Sequence, residues 1–121
     1  MNISNNKENR ILNKKSKDPF DIIIFEKGIR IHNLYADSEY KLMIILLNTG
    51  KAFKFSYRKF PKLNNASQSE LSNFKLIGDG IGIHWNAIDE DLSLKGIIKE
   101  AVQSEALKRL ESKDNSELAI F

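Results

Sequence analysis

Cysteine is absent from the 121 residues, and the chain has only two histidines, two prolines and one tryptophan. The lack of cysteine excludes a disulfide framework, a thiol nucleophile and a thiolate zinc site. The longest apolar run, Leu42 to Leu47, is far shorter than the roughly 20 residues that span a membrane. The polar N-terminus has no apolar stretch typical of a signal peptide. We therefore expect a cytoplasmic protein that has no membrane contact.

The net charge of +3 originates in the N-terminal segment. Residues 1–19 contain five of the 19 basic and two of the 16 acidic residues, so the remaining 14 basic and 14 acidic residues balance. A nucleic-acid-binding domain is expected to carry a basic face, but here the excess lies in an Asn/Lys/Ser-rich leader. Its composition predicts disorder. A solubilising tail is favoured over a phosphate-binding arm.

The hydrophobic content of 41% is typical of a globular chain. We expect a disordered basic leader over residues 1–19, a single α+β domain over residues 20–111 and a C-terminal tail over residues 112–121. The last four residues of the tail, Leu118 to Phe121, are apolar. They should either dock on the domain or contact a partner.

Six short segments have strand-like patterns: 22–25, 29–36, 42–47, 52–57, 74–77 and 81–85. Because 42–47 is apolar at every position, its strand should be central and covered on both faces. Asn48-Thr49-Gly50 predicts a tight hairpin loop with glycine in the left-handed conformation. Strands joined by such loops usually pair with each other, so the sheet should be mainly antiparallel.

Capping patterns predict two helices. Ser67-Gln68-Ser69-Glu70 is a capping box, in which the two end side chains satisfy exposed amides, and a short helix should follow to about Asn73. Ser93 can cap a last helix to about Glu111, whose apolar side chains fall on one stripe at helical spacing: Leu94, Ile97, Ile98, Ala101 and Val102. The predicted fold class is α+β, a small, mainly antiparallel sheet with a short helix and a C-terminal helix packed on it.

No catalytic, metal or cofactor site is recognisable. His32 and His84 have no cysteine neighbour and no partner at helical spacing, so exposed or hydrogen-bonded strand histidines are favoured over metal ligands. A serine–histidine triad assembled in space would have to use one of them. Residues 78–82 are glycine-rich but lack the following helix that a phosphate loop needs. Trp85 shares a strand face with Ile81 and Ile83, which favours a core position over a ligand-stacking role.

Asp89-Glu90-Asp91 is the densest charge cluster of the domain. Three consecutive residues cannot converge on one point in a regular element, and the cluster precedes a predicted helix start, where the macrodipole favours negative charge. Helix capping is therefore favoured over a cation site or acid–base catalysis. A docking patch for a basic partner surface is a third interpretation. If the protein binds a partner, we expect contacts at Asp89, Glu90, Asp91 and Phe121.

Two stretches, Ala66 to Trp85 and Ile88 to Ile98, resemble the small bacterial proteins of domain of unknown function family 2442. Such proteins have a strand pair with a tight glycine turn, a short leucine-containing helix, a G-x-G-I-x-W-like segment and an acidic, serine-capped last helix. Here Gly80 to Trp85 matches that segment. The resemblance runs from about Ile29 to Ile98. It departs from the family at Asn86, where members often have proline.

The resemblance implies a compact α+β fold without an established activity. Genes of such proteins often lie beside a second small gene in what look like toxin–antitoxin pairs. The resemblance therefore implies a non-enzymatic, antitoxin-like interaction protein whose partner is a small protein encoded by a neighbouring gene. No cofactor is expected. Some members carry a C-terminal helix-turn-helix, but this chain has a single predicted helix there. The alternative is a nucleic-acid-binding transcriptional regulator that uses the basic leader.

Overall fold

A computed structural model describes residues 17–112 of the chain. Helix α1 (Pro19–Asp21) continues directly into a π-helix (Ile22–Glu26). The further elements are β1 (Ile31–Asp37), β2 (Leu42–Leu47), β3 (Ala52–Ser56), α2 (Pro61–Asn64), α3 (Gln68–Ser72), β4 (Lys75–Ile77), β5 (Gly82–Trp85), β6 (Glu90–Ser93) and α4 (Leu94–Glu111). The strands form two three-stranded antiparallel sheets in the orders β1-β2-β3 and β4-β5-β6. The predicted α+β class is confirmed, with the strands divided between two sheets.

The apolar run at residues 22–25 is helical, and the prediction of a strand there is wrong. A helix-start signal lies just upstream, since the Asp18 carboxylate accepts a hydrogen bond of 2.9 Å from the amide of Phe20. Pro19 occupies the first helical position, where the missing amide hydrogen costs nothing. The helix cap at Asp18 and the burial of Ile24 therefore outweigh the strand preference of β-branched residues.

Two ion pairs that share Lys95 hold this N-terminal helical segment on α4. The Lys95 ammonium lies 3.0 Å from the carboxylate of Asp18 and 2.8 Å from that of Asp21. The hydrogen bond to Asp21, followed by that to Asp18, raises the pKa of Lys95. One turn further along α4, the Lys99 ammonium lies 5.9 Å from the centre of the Phe20 ring, within reach of a cation–π interaction. Asp18, which the sequence assigns to the leader, is therefore tied to the folded body.

The first sheet is a meander in which β2 is central. The hairpin turn between β2 and β3 is confirmed, with Gly50 at a φ of 89°. Met43 and Ile45 point into the core and are fully buried, whereas Ile44 on the other face is 45% exposed. The described residues therefore leave the middle of that outer face open, and the prediction of a strand covered on both faces is wrong for this side.

A close backbone contact joins the second sheet to the first. The amide of Ile31, at the start of β1, donates a hydrogen bond of 2.9 Å to the carbonyl of Gly80 in the turn between β4 and β5. Gly80 has a φ of 105°, and a Cβ atom there would lie 2.3 Å from the carbonyl oxygen of Ile31. Glycine alone accepts this conformation together with such a close approach. This glycine-rich turn therefore has a structural role.

Buried side chains from both sheets and from α4 form one hydrophobic core. Trp85 is fully buried in it, and its indole N–H donates a hydrogen bond of 3.0 Å to the carbonyl of Leu71 in α3. The predicted core position of Trp85 is thus confirmed. The capping box that begins α3 is confirmed as well, since Ser67 and Glu70 each accept from the other's amide.

Helix α3 also closes part of the free edge of β1. The side-chain amide of Gln68 donates to the carbonyl of Ala36 and accepts from the amide of Ser38, both at 2.8 Å. A peptide group of a neighbouring strand would make the same two kinds of hydrogen bond. Gln68 therefore blocks this stretch of the edge against pairing with another chain.

The last helix, α4, begins and ends where the sequence predicts. The Ser93 hydroxyl accepts a hydrogen bond of 3.0 Å from the amide of Gly96, and Leu94 and Ile97 are buried. Strand β6 and helix α2 were not predicted. Within residues 17–112, no helix is both long enough and apolar enough to cross a membrane.

Replacing Trp85 with alanine should lower the free energy of unfolding by about 3–5 kcal/mol, because it leaves a cavity in the core. Trp85→Phe, which keeps most of the ring volume but leaves the carbonyl of Leu71 without its donor, should lose about 1–3 kcal/mol. Urea unfolding followed by circular dichroism measures both. An unfolding midpoint for Trp85→Ala equal to that of the wild type would contradict the core assignment.

Candidate interaction surfaces

The carboxylates of the acidic cluster Asp89-Glu90-Asp91 do not converge on one point, as the sequence predicts. Asp89 ends a turn with a φ of 50°, and Glu90 and Asp91 begin β6. The pairing register places Glu90 opposite Trp85 and Asp91 opposite His84. Because neighbouring residues of a strand face opposite sides of the sheet, these two carboxylates lie on different faces.

Helix capping is the interpretation of the cluster that the sequence favours. The side chain that caps α4 belongs to Ser93, and β6 separates the start of the cluster from the helix. The ammonium of Lys62 in α2 donates a hydrogen bond of 2.9 Å to the backbone carbonyl of Asp89, which leaves the exposed Asp89 carboxylate outside this contact. None of the three carboxylates is therefore the side-chain cap of α4, and their interaction with the helix macrodipole stays a prediction.

His84 and Asp91 form a cross-strand ion pair on the outer side of the second sheet. Nδ1 of His84 lies 2.5 Å from Oδ1 of Asp91, and Nε2 lies 3.4 Å from Oδ1 of Asn86. The hydrogen bond to Asp91 is the main cause that raises the pKa of His84. His84 is therefore a hydrogen-bonded strand histidine, as predicted. His32 is exposed and lies beside an irregularity in the pairing of β1 with β2. Residues 17–112 contain no group of three acidic, histidine or cysteine side chains that could hold a metal ion.

The second half of α4 exposes large apolar side chains. Val102, Leu107 and Leu110 are 51%, 53% and 65% exposed. At about 100° per residue, these side chains and Ala106 lie on the side of the helix opposite to the buried Leu94 and Ile97. We name Val102, Ala106, Leu107 and Leu110 the distal stripe. The sequence prediction that Val102 shares one stripe with Leu94 and Ile97 is wrong, because Val102 is half-exposed on the other side of the helix. The same helical spacing continued to residue 110 would have shown this second stripe.

A shallow groove of about 460 Å³ runs along the distal stripe. The described residues that line it are Val102, Glu105, Ala106, Arg109 and Leu110. Glu105 and Arg109 form an ion pair of 3.7 Å one turn apart, which places both charge signs beside the apolar surface. This composition suits a protein contact better than a reaction centre, because the groove has an apolar floor and a charged rim.

A second exposed apolar surface is the outer face of the first sheet. It consists of three rows across β1, β2 and β3: Asn33–Leu46–Ala52, Tyr35–Ile44–Lys54 and Asp37–Leu42–Ser56. In the middle row, Tyr35 is 57% and Ile44 45% exposed. We name these nine residues the outer face.

Of the sequence-predicted partner contacts, Phe121 lies outside the described residues and stays a prediction.

Replacing Asp91 with asparagine should lower the pKa of His84, because the hydrogen bond to Asp91 is the main cause of the raised pKa. A group whose pKa is raised on folding stabilises the fold fully below its unfolded pKa of about 6.5. This stabilisation is lost as the pH rises through the folded pKa. The wild type should therefore melt above Asp91→Asn at about pH 5.5, and the difference should shrink by about pH 8.

The measurement is an NMR titration of the His84 imidazole together with melting curves across this pH range. Asparagine has nearly the same size as aspartate, so a change in packing should contribute little to the difference in melting temperature between Asp91→Asn and the wild type. An identical His84 pKa in both proteins would contradict the ion pair.

Comparisons with known proteins support the family resemblance. The chain matches the family model described as Protein of unknown function (DUF2442) over residues 31–103. The crystal structure of a protein of unknown function from Rhodospirillum rubrum shares 32% sequence identity, and the similarity covers 60% of this chain and 87% of that one with a TM-score of 0.53. No curated protein matches the chain.

A more distant likeness concerns the fold alone. The solution NMR structure of an uncharacterised protein from Chromobacterium violaceum has 19% identity and a TM-score of 0.54, over 77% of this chain and 87% of that one. The family match includes the first sheet, the second sheet and the first half of α4. Since it covers more than half of the sequence, the chain belongs to the family of proteins of unknown function DUF2442.

Proposed function

We propose that the protein is a non-enzymatic, cytoplasmic interaction module, the antitoxin-like member of a two-gene pair, and that it binds a small protein encoded by the neighbouring gene. The distal stripe is the observation that carries this proposal. Val102, Leu107 and Leu110 are each more than half exposed within two and a half turns of one helix. A cluster of exposed apolar side chains rimmed by polar ones is typical of protein contact sites.

The geometry of the distal stripe suits an amphipathic helix of the partner. Val102, Ala106 and Leu110 are spaced four residues apart, so they form a ridge along α4. Ridges of this kind pack into the grooves of a second helix at an axis separation of about 8–10 Å. The ion pair of Glu105 and Arg109 at the rim can fix the orientation of the incoming helix, since rim charges favour one register over others.

The position of the stripe fits a partner-specific surface. The family match ends at residue 103, so Leu107 and Leu110 lie beyond the part of the chain that the family model describes. The buried part of α4 lies earlier, at Leu94 and Ile97. A contact surface placed outside the core can change from one relative to another without disturbing the fold.

Replacing Leu107 or Leu110 with glutamate should weaken binding of the neighbouring gene's product at least about tenfold, since burying a charge in an apolar contact is costly. Both side chains are more than half exposed, so the fold should lose less than about 1 kcal/mol. Lys108→Glu is the matched control, because it adds the same residue to the same turn but outside the stripe.

Co-expression and pull-down, followed by calorimetry, measure the binding. Wild-type affinity in both leucine variants would contradict docking on α4. Asp89→Asn in the same assay tests the acidic cluster: it removes one exposed charge and keeps a residue that tolerates positive φ. Weaker binding at low salt would assign Asp89 to the interface, and unchanged binding would remove it.

A nucleic-acid-binding regulator is the second candidate, favoured by the location of the excess positive charge in residues 1–19. Binding by this leader should weaken steeply with salt, with a slope of about 0.9 per phosphate contact. Deletion of residues 1–16 keeps the ion pair of Asp18 with Lys95 and should abolish DNA binding in a gel-shift assay. Binding that persists with a steep salt slope would place the nucleic-acid site on the body.

A further inference from the structure

The outer face of the first sheet is apolar in its middle strand and charged only on its two edge strands. The outward side chains of β2 are Leu42, Ile44 and Leu46. A strand that is apolar at all six positions is typical of a sheet packed on both faces. The sequence of β2 thus suits a covered outer face, whereas Ile44 is 45% exposed.

The free edge of β1 offers less to a partner than the outer face of the sheet does. The side-chain amide of Gln68 already bonds to the carbonyl of Ala36 on β1 and to the amide of Ser38, just after the strand. An incoming strand would have to displace Gln68 from both groups. Association across the face needs no such displacement.

The charges of the outer face indicate which partner fits. Asp37 lies on β1 and Lys54 on β3, on opposite sides of the uncharged β2. A twofold axis parallel to β2 places β1 of one copy over β3 of the other. Each Lys54 then faces Tyr35 of the second copy, where an ammonium can contact the ring, and lies one row, about 7 Å along the strand, from Asp37 of that copy.

We propose that the protein forms a twofold dimer in which the outer faces of two copies pack against each other. Ile44 meets its own counterpart on the axis, and on both sides Lys54 of one copy lies over Tyr35 and one row from Asp37 of the other. Because the nine residues of each copy are fewer than the roughly 20–30 of a standard interface, the dimer is weak and dissociates in the micromolar range or above. This surface is separate from the distal stripe of α4.

The test is sedimentation equilibrium of the full chain from 10 µM to 1 mM. Ile44→Glu should raise the dissociation constant at least tenfold. Ile77→Glu is the matched control: the same change at a side chain of similar exposure, 43% against 45%, on the other sheet. Ile77→Glu should dimerise like the wild type, and circular dichroism should show both variants folded.

A second pair of variants tests the charge pattern. Lys54→Glu should weaken the dimer, because it replaces the ammonium over Tyr35 of the second copy with a carboxylate that lies one row from Asp37 of that copy. Adding Asp37→Asn to it should restore part of the affinity by removing the repulsion. Asparagine retains a side-chain oxygen for the amides of Glu39 and Tyr40, which Asp37 caps.

Three results would overturn the proposal. The first is a wild type that stays monomeric at 1 mM, and the second is a dimer that tolerates Ile44→Glu or is broken equally by Ile77→Glu. The third is a chain that dimerises only after deletion of residues 1–16 or 113–121, which would show that one of these terminal segments occupies the face.

Discussion

The central strand β2 imposes the main constraint on this fold, because it is apolar on both faces while the described chain forms one core. Met43 and Ile45 enter that core, where each buried side chain of this size stabilises the fold by about 1.5–3 kcal/mol. The second sheet and the packed half of α4 join the same core. The outward side chains of β2 are left to form a surface.

A small number of specific contacts join the elements of the fold. The hydrogen bond between Ile31 and Gly80 joins the two sheets, and the indole of Trp85 holds α3 on β5. Lys95 ties the N-terminal helical segment to α4. Of these contacts, the ion pairs of Lys95 hold the first turn of α4, which lies well before the distal stripe.

Features decided by neighbouring residues could be predicted from the sequence. The capping box at Ser67 and the cap at Ser93 depend on side chains three residues from the amides they satisfy. Gly50 likewise marks its hairpin. Features decided by distant contacts were missed. Strand β6 is rich in acidic residues, which have low strand propensity, and it forms because β5 offers an edge to pair with.

The arrangement of the candidate surfaces also depends on distant contacts. Asp89, Glu90 and Asp91 are adjacent in sequence, but the unpredicted strand β6 turns Glu90 and Asp91 to opposite faces. The exposure of Ile44 depends on how few of the described elements pack against the first sheet. The apolar sequence of β2 alone does not reveal that number. The π-helix at residues 22–26 depends on the cap at Asp18.

The two proposals rest on two exposed apolar surfaces, the distal stripe of α4 and the outer face of the first sheet. The most direct test is an amide NMR titration of labelled full-length protein, first with unlabelled protein and then with the neighbouring gene's product. Shifts in the first step should be confined to β1, β2 and β3, and those in the second to residues 102–110 of α4. A response centred on His84 and Asp91 in either step, or no response in both, would contradict the assignment of these surfaces.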